Sequence, residues 1–222
     1  MNVAKYIDHT LLKPEADKKS VEKLCGEALE HGFYSVCLNG SRVKYAADLL
    51  DPSDVKVCAV IGFPLGACTT KNKACEARDV IENGADEIDM VMNIGKFKDG
   101  NYDYVMNDIE NIVNIAHSSD IIVKVILETC LLNNEEIIKA CELCIKVGAD
   151  FVKTSTGFNK EGATLEAVAI MKKAVGERAK VKAAGGVRNY QTAIDFINAG
   201  ADRLGCSSSV AIVSGEEAAD SY

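Results

Sequence analysis

Short apolar runs alternate with longer amphipathic stretches along the whole chain. The runs with strand character lie near Tyr6–Thr10, Tyr34–Leu38, Lys56–Ile61, Glu87–Val91, Ile121–Leu127, Phe151–Ser155, Val181–Ala184 and Arg203–Cys206. Helical spacing fills the gaps, as in Ser20–Glu30, Thr70–Asn83, Tyr102–His117, Glu135–Val147, Thr164–Val175 and Gln191–Asn198. Strands that alternate with helices of this length pair in parallel. Eight units of roughly 28 residues predict a compact α/β fold, a (β/α)8 TIM barrel, which typically needs about 250 residues. The loops are short, and a helical turn region precedes the first strand. No Pro-, Gly- or Ser-rich linker divides the chain, so residues 1–222 are read as a single (β/α)8 barrel domain. The rival is an open doubly wound sheet, but no G-x-G-x-x-G follows the first strand.

Four segments share one grammar: His31-Gly32-Phe33-Tyr34, Asn83-Gly84-Ala85-Asp86, Val147-Gly148-Ala149-Asp150 and Ala199-Gly200-Ala201-Asp202. Each glycine follows an amphipathic stretch and is placed to end a helix in the left-handed conformation. Each is followed by a strand-like run, so the segment reads as the helix-to-strand turn of a repeat.

Composition narrows the function classes. The 222 residues are 48% hydrophobic, with 25 Lys+Arg against 33 Asp+Glu and a formal net charge of −8. An acidic chain with pI near 5.0 has no basic footprint for nucleic acid. No apolar run approaches the roughly 18 residues of a membrane helix, and the opening residues carry no apolar signal region. Nine scattered cysteines, several inside apolar runs, predict a reducing, cytoplasmic setting. Cys141-Glu142-Leu143-Cys144 has redox-motif spacing but lies in a helical stretch, where packing explains it.

Strands of a parallel barrel are buried on both faces, so a charge within one is costly. Lysine interrupts three consecutive candidate strands, at Lys124, Lys153 and Lys182, with 29 residues between successive members. The equal spacing predicts similar heights on neighbouring strands. Clustered ammonium groups repel and burial disfavours charge, so at least one neutral amine is expected. A neutral buried amine attacks a carbonyl to form a Schiff base. Asp89 alternates with Ile88 and Met90 and so faces away from them. Asp8 is either a partner for an interior lysine or a cap for the following turn. Gly185-Gly186-Val187-Arg188 follows the seventh strand, and Gly205-Cys206-Ser207-Ser208-Ser209 the eighth. Phosphate sites recur there in such barrels, where glycine backbones and hydroxyls meet an anion. The expected substrate is a phosphorylated carbonyl compound.

Seven blocks in one order carry a family resemblance. They are Asp8-His9-Thr10-Leu11-Leu12-Lys13-Pro14, Gly62 to Gly66, Glu87 to Asn93, Lys124 to Thr129, Lys153-Thr154-Ser155-Thr156-Gly157, Gly185 to Arg188 and Gly205 to Ser208. The chain resembles the deoxyribose-phosphate aldolases, class I Schiff-base aldolases with a (β/α)8 fold. The resemblance implies reversible cleavage of 2-deoxy-D-ribose 5-phosphate to acetaldehyde and D-glyceraldehyde 3-phosphate. It implies Lys153 as the imine-forming lysine, and Lys182 and Asp89 as proton-transfer partners. It places Gly185, Gly186, Gly205, Ser207, Ser208, Thr156 and Gly157 at the substrate and phosphate, with Lys124 and Asp8 in support. Cys37 resembles a cysteine near the family's site, and Tyr222 a tail tyrosine that reaches over the pocket. The resemblance implies no metal and no cofactor beyond the covalent lysine imine, and a homodimer or homotetramer.

The chain departs from the family's pattern at Ala183, Phe158, Asn159 and Cys206. His31 and His117 lie near predicted helix ends and read as structural; His9 reads as a shaping residue at the mouth of the first strand. Two other readings compete: another Schiff-base phosphosugar aldolase of transaldolase type, and a non-catalytic phosphosugar-binding barrel.

Overall fold

The computed structural model describes residues 1–215. Eight parallel strands close on themselves in chain order: β1 (Ile7–Leu11), β2 (Ser35–Asn39), β3 (Lys56–Ile61), β4 (Glu87–Val91), β5 (Ile122–Ile126), β6 (Phe151–Lys153), β7 (Lys180–Ala184) and β8 (Arg203–Cys206). Outside them run α1 (Lys18–His31), α2 (Val43–Leu50), α3 (Thr70–Glu82), α4 (Ile94–Lys98), α5 (Tyr102–His117), α6 (Asn134–Lys146), α7 (Leu165–Val175), α8 (Tyr190–Asn198) and α9 (Ser209–Ser214). The expected TIM barrel is therefore present, with its helical turn at Val3–Tyr6 ahead of β1. The short helices α2, α4 and α9 go beyond the sequence reading, because fewer than three turns leave little periodicity to detect.

Side chains from the loops start many of the helices. Asp17, Thr69, Asn93, Asn101, Thr164 and Asn189 each accept a hydrogen bond from a backbone N–H in the first turn. Asn133 and Glu136 cap α6 reciprocally. These bonds satisfy donors that a helix N-terminus leaves unpaired. The apolar faces so positioned pack on outward strand residues such as Ile88, Met90, Val123 and Leu204, all fully buried.

The four-fold grammar marks alternate strands. Gly32, Gly84, Gly148 and Gly200 all have positive φ, between 64° and 110°. The aspartate two residues after the last three of these glycines clamps the strand before it. The Asp86 carboxylate accepts from Val57 N at 2.8 Å, Asp150 from Val123 N at 2.8 Å, and Asp202 from Val181 N at 2.9 Å. Each aspartate also donates its own N–H to the carbonyl of the same residue. The repeat is thus a device that joins an even strand to its odd predecessor at the base of the barrel.

Register sorts the interior into layers. Side chains in these barrels come alternately from even and odd strands, four to a layer. The lowest layer is Ser35, Glu87, Phe151 and Arg203. Asp8, Cys58, Lys124 and Lys182 follow from odd strands, then Cys37, Asp89, Lys153 and Gly205 from even strands. Bulky branched apolar residues dominate such layers in most barrels. Here seven of these twelve positions carry Asp, Glu, Lys or Arg.

Candidate active site

A cavity of about 310 Å³ opens at the C-terminal ends of the strands. Lys153 reaches it from β6, whereas Lys124 and Lys182 do not line it. Thr156, Gly157, Gly185, Gly186, Gly205, Ser207 and Ser208 line the same cavity, so the candidate substrate residues are brought together. Gly157, Gly185 and Gly186 have positive φ, a conformation that exposes backbone N–H groups at little steric cost. At Gly205 a Cβ would lie 2.9 Å from the Ala184 Cβ and 3.2 Å from the Lys182 Cε. The missing side chain makes the room through which Lys182 extends.

Beneath the cavity the lysines converge on one carboxylate. The Asp89 Oδ2 accepts from Lys153 at 2.8 Å and from Lys182 at 2.7 Å, while Oδ1 accepts from Lys124 at 2.9 Å. All four side chains are buried. Lys124 also contacts Glu87 at 2.7 Å, and Lys182 makes an ion pair with Asp8 Oδ2 at 2.5 Å without hydrogen-bond alignment. Burial alone would raise the Asp89 pKa, but Lys124, Lys153 and Lys182 outweigh it and hold the carboxyl well below its ordinary range. Burial likewise disfavours charge on Lys182, yet Asp8 and Asp89 more than compensate and raise its pKa. Lys124 is raised in the same way, chiefly by Asp89.

Two expectations are corrected here. The lysines do not share one height: Lys153 and Lys182 are register partners, but Lys124 pairs with Phe151. Neighbouring strands of a tilted barrel feed alternate layers, so equal sequence spacing lands one layer apart. Nor does mutual repulsion lower Lys124 and Lys182, because carboxylates stand between them. Asp8 belongs to this interior set and does not cap a turn.

Cys37 sits one layer up beside Cys58, with both thiols buried. Hydrogen bonding with Cys58 lowers the Cys37 pKa despite burial. Cys58 in turn donates to Asp89 Oδ1 at 3.1 Å. Cys141 and Cys144 are buried on α6, in keeping with packing, and all nine cysteines are free. His31 stacks on Phe33, and His117 pairs with Asp150 at 2.9 Å. His9 faces out of the barrel, between Ser209 at 2.8 Å and Glu27 at 2.9 Å. Tyr222 lies outside the described residues.

Sequence reasoning missed three contributors. Glu128, at positive φ after β5, accepts from the Thr156 hydroxyl at 2.5 Å and the Thr156 N–H at 3.2 Å. A buried carboxylate immediately past a strand end was the available signal. Lys160 lines the cavity beside Phe158 and Asn159. Phe158 itself meets Phe63 edge-on at 5.2 Å. Arg203, in the lowest layer, binds both Asp8 and Glu87.

Residues 2–215 match the model of the family described as DeoC/LacD family aldolase. A deoxyribose-phosphate aldolase of Thermococcus gammatolerans is 58% identical over 99% of both chains. One from Brevibacillus brevis is 57% identical over 97% of this chain and 96% of the relative. The solved structure described as the unique tetrameric structure of deoxyribose phosphate aldolase from Aeropyrum pernix superposes with a TM-score of 0.90. It is 35% identical and covers 96% of this chain and 89% of its own. Fold, lysine-lined barrel interior and full-length similarity agree: the chain belongs to the DeoC/LacD family of aldolases.

Proposed function

We propose that the protein reversibly cleaves 2-deoxy-D-ribose 5-phosphate to acetaldehyde and D-glyceraldehyde 3-phosphate through a Schiff base at Lys153. The observation that carries this reading is the position of that amine. Of three interior lysines bound to Asp89, Lys153 alone faces the cavity. The full-length relatives named deoxyribose-phosphate aldolase support the substrate.

In this reading the Lys153 amine adds to the aldehyde carbon, and loss of water leaves an iminium. A base removes the proton of the C3 hydroxyl, the C2–C3 bond breaks, and its electron pair moves to the iminium. D-Glyceraldehyde 3-phosphate departs, leaving the enamine of acetaldehyde. Protonation of the enamine carbon and hydrolysis return free Lys153. Lys182, held protonated by Asp8 and Asp89, supplies protons within reach of Lys153. Asp89 orients both amines. The loops at Gly185–Gly186 and Gly205–Ser208 receive the phosphate through backbone N–H groups and hydroxyls.

The iminium is the electron sink, so the mechanism has no step that calls for a metal. Cys37, Cys58 and Asp89 do offer three ligand atoms within 4.8 Å of one another. The Asp89 oxygens, however, are already occupied by three lysine side chains, and the charge on Lys124 and Lys182 opposes a cation. We further propose a single domain, a homo-oligomer of the dimeric or tetrameric kind, and a reducing, cytoplasmic setting. Among the described residues no helix is long and apolar enough to cross a membrane.

The test is to incubate the protein with acetaldehyde, reduce with borohydride and map the adduct by peptide mass. One ethyl group on the peptide bearing Lys153, absent in Lys153→Ala, is the expected result. No adduct on folded protein would overturn the aldolase reading in favour of a phosphosugar-binding barrel. An adduct with turnover only on ketose phosphates would move the substrate to the transaldolase type.

A further inference from the structure

The interior charges form a closed ring. Arg203 binds Asp8, with Nε donating to Oδ1 at 2.8 Å. Asp8 contacts Lys182 at 2.5 Å, and Lys182 contacts Asp89 at 2.7 Å. Asp89 contacts Lys124 at 2.9 Å, Lys124 contacts Glu87 at 2.7 Å, and Glu87 returns to Arg203 at 2.9 Å. Signs alternate all the way round. Every cation in the ring touches two carboxylates, and three cations balance three anions. Lys153 stands outside this alternation. Among the described residues its single carboxylate contact is Asp89 Oδ2, an oxygen it shares with Lys182. The ring is neutral without a charge on Lys153, so the pendant amine is the one whose proton the ring does not require.

We propose that Arg203 and Glu87, which do not line the cavity, are positioning residues that set the proton balance of Lys153 through this ring. Arg203 is suited to closing it. Its planar fork spans two carboxylates at once, it stays charged at every working pH, and its face lies 3.5 Å from the centre of the Tyr34 ring. The other titratable groups on the Lys153 side are Cys37 on β2, Cys58 on β3, Cys206 on β8, and Lys160, Glu161 and Arg188 in the loops around the cavity, and all remain in place in the variants below. The inference rests on Lys153 being the imine-forming residue.

Charge substitution gives the ring a signed test. Arg203→Met leaves the ring one negative charge in excess, so Lys153 keeps its proton to higher pH. Glu87→Gln leaves one positive charge in excess and acts the opposite way. The measurement is the rate of borohydride-trapped ethylation of Lys153 by acetaldehyde between pH 5 and 10. The midpoint of its acid limb is expected to rise in Arg203→Met and fall in Glu87→Gln. Each shift should be on the order of one pH unit, as for a unit charge about 10 Å away at an effective dielectric of about 20. The double variant should return towards the wild-type midpoint, and Arg203→Lys should stay near it. A merely structural role for either residue would lower the trapped yield without opposed shifts. Shifts of the same sign, or none, in folded variants would overturn the inference. If Arg203→Met does not fold, the near-isosteric Glu87→Gln decides: a lower midpoint supports the ring, and an unchanged or higher one rejects it. No adduct in the wild type would instead reject Lys153 itself, so the two failures are distinguishable.

Discussion

Lys153 and Lys182 are register partners on adjacent strands, and both donate to the same Oδ2 of Asp89, at 2.8 and 2.7 Å. Two amines on one oxygen lie close enough to exchange protons through it, yet only one of them faces the cavity. Their roles should therefore separate. Lys153→Met is expected to abolish the trapped adduct. Lys182→Met should still give an adduct on Lys153, while turnover falls by roughly 10²–10⁴, the usual range for a lost acid–base group. Adduct yield and turnover, measured on the same folded samples, check this. Loss of the adduct in both variants would place Lys182 on the covalent path as well.

Gly205 leads to a second expectation. A methyl group there would meet Ala184 Cβ at 2.9 Å and Lys182 Cε at 3.2 Å, and Ala184 cannot move without its strand. Lys182 would give way and lose its bond to Asp89. Gly205→Ala should cost about 1–3 kcal/mol, as overpacking of a close-packed interior does. It should also lower turnover more than Gly176→Ala, where nothing lies within 4 Å of the added Cβ, although that glycine, unlike Gly205, has positive φ. Denaturant midpoints and turnover of both variants decide it. A fully active Gly205→Ala would mean that Lys182 does not need this space.

Much of the fold was legible because the code is local. The boundaries of β3, β4, β8 and α5 are those expected from apolar runs and helical spacing. What the pattern cannot express is the stagger of a closed sheet. The lysine spacing of 29 was visible, but the alternation of layers places Lys153 one layer from Lys124 and Lys182. The same stagger hid Arg203, which reads locally as the first residue of a strand after a turn. Its partners Asp8 and Glu87 lie 195 and 116 residues away in sequence. Glu128 was hidden for a different reason: its importance to Thr156 depends on a left-handed backbone at a non-glycine residue, which residue type does not signal.

The Gly-Ala-Asp repeat yields an expectation free of catalysis. Asp202 accepts from Val181 N at 2.9 Å and donates its own N–H to Val181 O at 2.8 Å, far below the cavity. Asp202→Ala removes the first bond and leaves a strand N–H without its acceptor. The cost should be about 1–3 kcal/mol, with turnover at 25 °C unchanged. Unfolding curves and initial rates test this. A large fall in turnover in a stable variant would mean that the base of β7 transmits strain to Lys182.

The last expectation concerns alkaline pH. Burial pushes the Cys141 thiol from its ordinary 9.0 up to about 12, and raises Cys25, Cys58, Cys144 and Cys206 in the same direction. The folded state therefore keeps these thiols neutral when the unfolded chain has ionised them. A folded pKa above the unfolded one gives stability that is complete below pH 9 and declines as pH rises towards the folded value. At pH 10 the unfolded chain gains about 1.4 kcal/mol from ionising one such thiol, and the contributions of the buried thiols add. Lys124 and Lys182 are also raised, by their carboxylates, so their contribution is present below 10.5 and is lost only above it. Between pH 9 and 10.5 the decline therefore comes chiefly from the thiols, with Tyr45, raised by its hydrogen bond to Glu22, joining above pH 10. Urea midpoints at pH 8 and pH 10, under reducing conditions, should show the wild type losing stability. Cys141→Ala should start lower, because of the cavity it leaves, and yet lose about 1.4 kcal/mol less between the two pH values. An equal pH dependence in the two proteins would mean that Cys141 ionises as readily in the folded chain as in the unfolded one.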